Sequence, residues 1–121
     1  MAANTVTITQ LAWNTAVDFP TPSANDKTDG TLIKPTKGSE KTIIYMENTD
    51  SSNAEKVTIA AGKGYGAYDA KTIDIGKSAK MLIAVESARY MQDDGYIHVQ
   101  VYEADGTTAS KDVKFAVICN P

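Results

Sequence analysis

Residues 96–103 read Tyr96-Ile97-His98-Val99-Gln100-Val101-Tyr102-Glu103. Ile97, Val99 and Val101 stand at every second position, with Tyr, His, Gln and Tyr between them. Successive side chains of an extended chain point to opposite faces, so this pattern describes a strand with one buried and one solvated face. A helix would need its apolar positions three and four residues apart.

The same period continues on both sides. Residues 112–119 put Val113, Phe115, Val117 and Cys119 on one face, residues 71–75 do so with Ile73 and Ile75, and residues 55–60 with Val57 and Ile59. Residues 41–47 are apolar on both faces, as a central strand would be, and Thr5-Val6-Thr7-Ile8-Thr9 alternates as one strand near the start. Residues 78–92 are ambiguous. Met81, Leu82, Val85 and Ala88 could form a helical stripe, yet Met81-Leu82-Ile83-Ala84-Val85 also reads as a short buried strand, and its period-2 neighbours favour the strand. Asp105-Gly106 is a hairpin signal between the last two strands. Seven or eight short strands with frequent turns predict an all-β fold: an antiparallel β-sandwich, or jelly-roll-like single domain, spanning residues 1–121. Residues 12–38 break the pattern. They hold three of the four prolines (Pro20, Pro22, Pro35) and the turn cluster 25–30, and they predict a long N-terminal loop or arm with a short strand at 31–34.

Composition narrows the function classes. At 121 residues with 42% hydrophobic content, one core is feasible without metal or disulfides. The net charge is −3, and the basic residues are lysines spread along the chain with a single arginine, Arg89. A nucleic-acid surface would need clustered Lys and Arg, so nucleic acid is not an expected partner. No apolar run is long enough for a membrane span. The first residues carry neither a basic nor an apolar leader segment, and a lone cysteine suits a reducing compartment; both predict a chain made in the cytoplasm.

Catalytic clusters are missing. His98 is the one histidine and Cys119 the one cysteine. His98 is expected at a surface or interface, and Cys119, in phase with Phe115 and Val117, as a small buried hydrophobe. Gly62-Lys63-Gly64-Tyr65-Gly66-Ala67 fits a dinucleotide-loop pattern, but a strand-like stretch follows where a helix N-terminus is required. Gly76-Lys77-Ser78 lacks the upstream glycine of a phosphate loop. Asn25, Lys27, Asp29 and Gly30 imitate the opening of a calcium loop with a cation at one ligand position. All three read as turns, and no cofactor or metal is expected. Asp93-Asp94 reads as a solvated turn. The aromatics offer more: Trp13 and Phe19 in the arm and Tyr65 and Tyr68 in the glycine loop are candidates for partner contact, with His98 as a further one. Trp13 and Phe19 could instead seal the chain's own core.

From about Thr42 to Tyr102 the order of several short patterns resembles the small head-decoration, or cement, proteins of tailed bacteriophages. These patterns are an apolar strand ending Glu47-Asn48-Thr49, then Val57-Thr58-Ile59-Ala60-Ala61-Gly62, Thr72-Ile73-Asp74-Ile75, Glu86-Ser87-Ala88-Arg89-Tyr90-Met91-Gln92 and Asp94-Gly95-Tyr96-Ile97-His98-Val99. The resemblance implies a non-enzymatic β module on the capsid surface of a virion. Its partner would be the major capsid protein, and it would form a homo-oligomer, such as a trimer. The alternatives are a carbohydrate-binding β-sandwich that stacks sugars on Tyr65, Tyr68 or Trp13, and another phage tail- or fibre-associated piece.

Overall fold

A computed structural model describes residues 3–35, 42–62 and 69–121. The described residues are all-β apart from one helical turn, and their strands form two five-stranded sheets that share a core. The strands are β1 (Asn4–Thr5), β2 (Ile8–Gln10), β3 (Ser23–Ala24), β4 (Thr31–Ile33), β5 (Thr42–Asn48), β6 (Glu55–Ile59), β7 (Lys71–Ile75), β8 (Lys80–Val85), β9 (Ile97–Glu103) and β10 (Val113–Cys119). The helical turn α1 is Ser87–Tyr90. The first sheet runs β1-β4-β9-β6-β7. The second runs β2-β10-β5-β8, with β3 also paired to β10.

The predicted alternation builds the core. From the first sheet come Ile33, Val57, Ile59, Ile73, Ile75, Ile97, Val99 and Val101; from the second come Ile44, Met46, Val85, Val113, Phe115, Val117 and Cys119. Cys119 is buried in phase with Phe115, as expected. β5 is central, bonded to β10 on one side and β8 on the other. Residues 80–85 are a strand, and helix is confined to the single turn after it. Met81, Ile83 and Val85 stand opposite the inward-facing Met46, Ile44 and Thr42, which extended pairing satisfies and a helix would not.

Three expectations need correction. The sheets are mixed, not purely antiparallel, because β1 runs parallel to β4 and β2 parallel to β10. Only strands joined by a tight turn must be antiparallel, and these partners lie far apart in sequence. The N-terminal strand is two strands, one in each sheet. The alternation was real, since Val6 and Ile8 both pack on the core. The chain crosses from one sheet to the other between them, with the Val6 amide donating to the Leu32 carbonyl at 3.0 Å. Finally, β9 and β10 are not hairpin partners. The turn at Asp105-Gly106 forms, closed by the Tyr102–Ala109 bridge and a positive φ at Gly106, but the chain then arches to the other sheet.

Residues 12–22 contain no strand, whereas β3 and β4 lie within the proline-containing region, and β4 sits inside the first sheet between β1 and β9. Gly30 allows this. Its φ is +81°, and a Cβ there would lie 2.4 Å from the Val99 carbonyl oxygen.

Phe115 is fully buried, so Phe115→Ala should cost about 3–5 kcal/mol of unfolding free energy by removing its contacts and leaving a cavity. Leu82→Ala, on an exposed position, should change it by less than about 0.5 kcal/mol. Urea denaturation of the two variants measures both, and a thiol reagent should label Cys119 only as fast as the chain unfolds.

Candidate interaction surface

The two sheets turn very different faces to solvent. On the first, the outward positions are Leu32 of β4, Lys56 and Thr58 of β6, Thr72 and Asp74 of β7, and His98, Gln100 and Tyr102 of β9, in rows set by the pairing register. Apart from the half-buried Leu32, this face is polar. On the second, Tyr45 stands between Ala116 and Leu82, and Ile43 between Ile118 and Ala84. A single charged row, Lys114–Glu47–Lys80, closes one end. Two of the three rows are apolar.

Part of that apolar face is covered. Tyr45 and Ala116 are buried although they point away from the core. The ring of Phe19 meets Tyr45 edge-on, with centroids 5.0 Å apart and planes at 85°, a favourable geometry because the ring edge is positive and the face negative. The Tyr45 hydroxyl donates to Glu47 Oε1 at 2.8 Å. Burial, and next the Glu47 carboxylate, raise the Tyr45 pKa, so the phenol remains a proton donor.

The rest is open. Residues 12–19 are all exposed, with Trp13 at 78% and Phe19 at 62%, and Leu82 on β8 is 64% exposed. The start of this segment is tied to the last strand: the Leu11 amide donates to the Cys119 carbonyl at 2.9 Å, and Gln10 Nε2 donates to the Asn120 carbonyl at 3.1 Å. Asn14 takes a positive φ of 58°, a conformation asparagine tolerates. This turn and the chain's end enclose an open hollow of about 560 Å³, lined by Trp13, Asn14, Thr15, Asn120 and Pro121 among others. Trp13 therefore does not seal the core, while Phe19 covers Tyr45 with one edge and leaves most of its ring in solvent. Among the described residues no strand pairs with the outer edge of β8, which presents free backbone donors and acceptors to a partner.

The remaining candidates lie elsewhere. Tyr65 and Tyr68 fall outside the described residues. Gly62, at the start of that glycine loop, packs against α1, where a Cβ would lie 2.4 Å from the Arg89 carbonyl oxygen. His98 is on the polar face of the first sheet and has a partner the sequence reading missed: its Nε2 lies 2.8 Å from Asp94 Oδ2. The signal was an acid four residues before the histidine, across the Asp94-Gly95 turn. The Tyr96 amide, and next His98, hold the Asp94 carboxyl below its ordinary value. The contact orients the exposed imidazole.

Turn chemistry explains two of the three motif look-alikes, and residues 63–67 of the third lie outside the described residues. Asn25 is buried and internally engaged: its Nδ2 donates to the Ser110 carbonyl at 2.9 Å and its Oδ1 accepts from Thr31 Oγ1 at 2.8 Å. Asp26 Oδ2 accepts from the amides of Thr28 and Asp29, closing a turn. Residues 76–79 form a turn closed by the Ala79 amide on the Gly76 carbonyl. Among the described residues, the carboxylates grouped closely enough to hold a metal lie elsewhere: Asp50, Glu55 and Asp112 each bring an oxygen within 4.8 Å of the others.

Trp13→Ala should leave the unfolding free energy almost unchanged, within about 0.5 kcal/mol. Phe19→Ala should cost about 1 kcal/mol through the lost ring contact with Tyr45. A loss of several kcal/mol at Trp13 would show that the indole seals the core after all.

No family model matches the chain, and no curated protein or solved structure matches it.

Proposed function

We propose that this chain is a non-enzymatic structural protein that binds the outer surface of a phage capsid and stabilises the shell, with the major capsid protein as its partner. The observation that carries this reading is the asymmetry of the two faces. The second sheet has an apolar outer face with Leu82 64% exposed, flanked by an exposed segment carrying Trp13 and Phe19. Apolar side chains gathered on one face favour a partner that buries them, and a large exposed aromatic makes an effective anchor in such a contact. The order of strand patterns from residue 42 to 102, similar to that of decoration proteins, supplies the partner. In this reading the fold is jelly-roll-like and residues 12–22 act as the docking arm. The chain is made in the host cytoplasm and works on the virion as a homo-oligomer, such as a trimer, joined through the free edge of β8. Each contact is weak, and bridging several shell subunits multiplies it.

A second reading, a carbohydrate-binding module, draws on the hollow beside Trp13. There an exposed indole sits among Asn14, Thr15 and Asn120, the combination of flat apolar ring and polar rim that suits a sugar.

The test is co-sedimentation with capsids assembled from the major capsid protein of the same genome, beside a polysaccharide titration followed by the fluorescence of the single tryptophan. The decoration reading expects sedimentation with the shell and a loss of about 10-fold or more in affinity for Trp13→Ala or Leu82→Ala. A polysaccharide-dependent fluorescence change without shell binding would favour the second reading, and binding unaffected by both substitutions would remove the surface described above.

A further inference from the structure

The end of the sandwich where the 49–54, 76–79 and 104–112 connections meet is polar on the inside. β6 begins with Glu55 in phase with Val57 and Ile59, so its carboxylate enters the core layer; the residue is 1% exposed. Its Oε1 accepts from Ser110 Oγ at 3.0 Å. Its Oε2 is buried, and among the described residues it has no hydrogen-bond partner. Unpaired carboxylate oxygens away from water are costly, and native structures rarely leave them so.

Around the Glu55 carboxyl lies more negative charge. Asp50 and Asp112 each place a carboxylate oxygen within 4.8 Å of Glu55 and of each other, and Glu103 is the cross-strand neighbour of Glu55. The adjacent lysine, Lys56, points to the opposite face and pairs with Asp74 at 2.6 Å. Lys27 and Lys111 border an adjoining hollow with Glu103, Ser110 and Asp112.

We propose that Asp50, Glu55 and Asp112 form a binding site for a hard divalent cation of the calcium class, which ties the first sheet to the second. The ligand set is all oxygen, which suits a hard cation and not zinc or copper. The spacing suits calcium: oxygens about 2.4 Å from an ion lie no more than about 4.8 Å apart, and waters complete its coordination. The acids are also held in place. Asp50 Oδ1 accepts from the amides of Ser52 and Asn53. The Asp112 amide donates to Ser110 Oγ, and its carbonyl accepts from the Thr49 amide and hydroxyl. Glu55 lies on β6 of the first sheet and Asp112 one residue before β10 of the second, so the ion would bridge the layers where the two connections cross.

The rival is a proton. Burial, followed by Asp112, Asp50 and Glu103, raises the Glu55 pKa against the lowering effect of Ser110. A proton bound more tightly in the folded than in the unfolded chain means stability falls as pH rises from the ordinary glutamate range through the raised value. The two alternatives respond differently to added metal.

The experiment is thermal unfolding of the full chain at pH 7.5, with ionic strength matched, in EDTA and in 5 mM calcium chloride, joined to equilibrium dialysis with calcium. The site predicts about one ion per chain and a rise in Tm of about 4 °C or more. Both effects should be lost in Glu55→Gln and in Asp112→Asn and kept in Asp18→Asn, whose carboxylate lies on the exposed arm. Glu55→Gln keeps the side chain's shape, and Asp112→Asn reads the same site from the half-exposed side, so a folding defect in one does not hide the result. No calcium-dependent rise, a rise of equal size in Glu55→Gln, or a pH dependence that Glu55→Gln removes without any metal response would each overturn the proposal.

Discussion

The pairing of β5 with β10 is the constraint on which the rest of the structure depends. Seven consecutive residues of each strand stand in register, from Val113 opposite Asn48 to Cys119 opposite Thr42. Because side chains alternate, this register fixes both faces at once: Phe115 and Val117 enter the core with Met46 and Ile44, and Ala116 and Ile118 line up outside with Tyr45 and Ile43. A one-residue slip would exchange the two sets. β8 extends the outer rows by its pairing with β5, and β2 and β3 dock on the other edge of β10. The apolar outer face is thus a consequence of the same register that forms the core.

Most of the architecture was legible in the sequence because burial on one face leaves a period of two. Residues 97–103 and 113–119 carried that signal clearly, and even the ambiguous 81–85 stretch yielded to it. Sheet membership was not legible. Val6 and Ile8 look like neighbours on one strand, and only the arrangement of β4 and β10 reveals that the chain changes layers between them. Asp105-Gly106 announced a turn, but a turn does not say whether the next strand continues in the same sheet.

The candidate surface was partly legible. Trp13 and Phe19 stood out as aromatics in a proline-containing segment, whereas the face beneath them arises from Tyr45 and Leu82, whose outward position depends on a partner strand. Glu55 was readable and overlooked. It shares phase with Val57 and Ile59, so the alternation that marks the strand also drives a carboxylate inward. Asp50 and Asp112 join it only through the meeting of two connections far apart in sequence. Asp94 and His98, four residues apart across a turn, were closer to view.

The surface proposed to meet the shell is the second sheet's outer face together with residues 12–19. Hydrogen–deuterium exchange of the free and capsid-bound protein tests it most directly. The account predicts that backbone amides of β8 and of residues 12–19 gain protection on binding while those of β7, at the far edge of the polar sheet, exchange as before. Protection confined to the His98 face of the first sheet would contradict it.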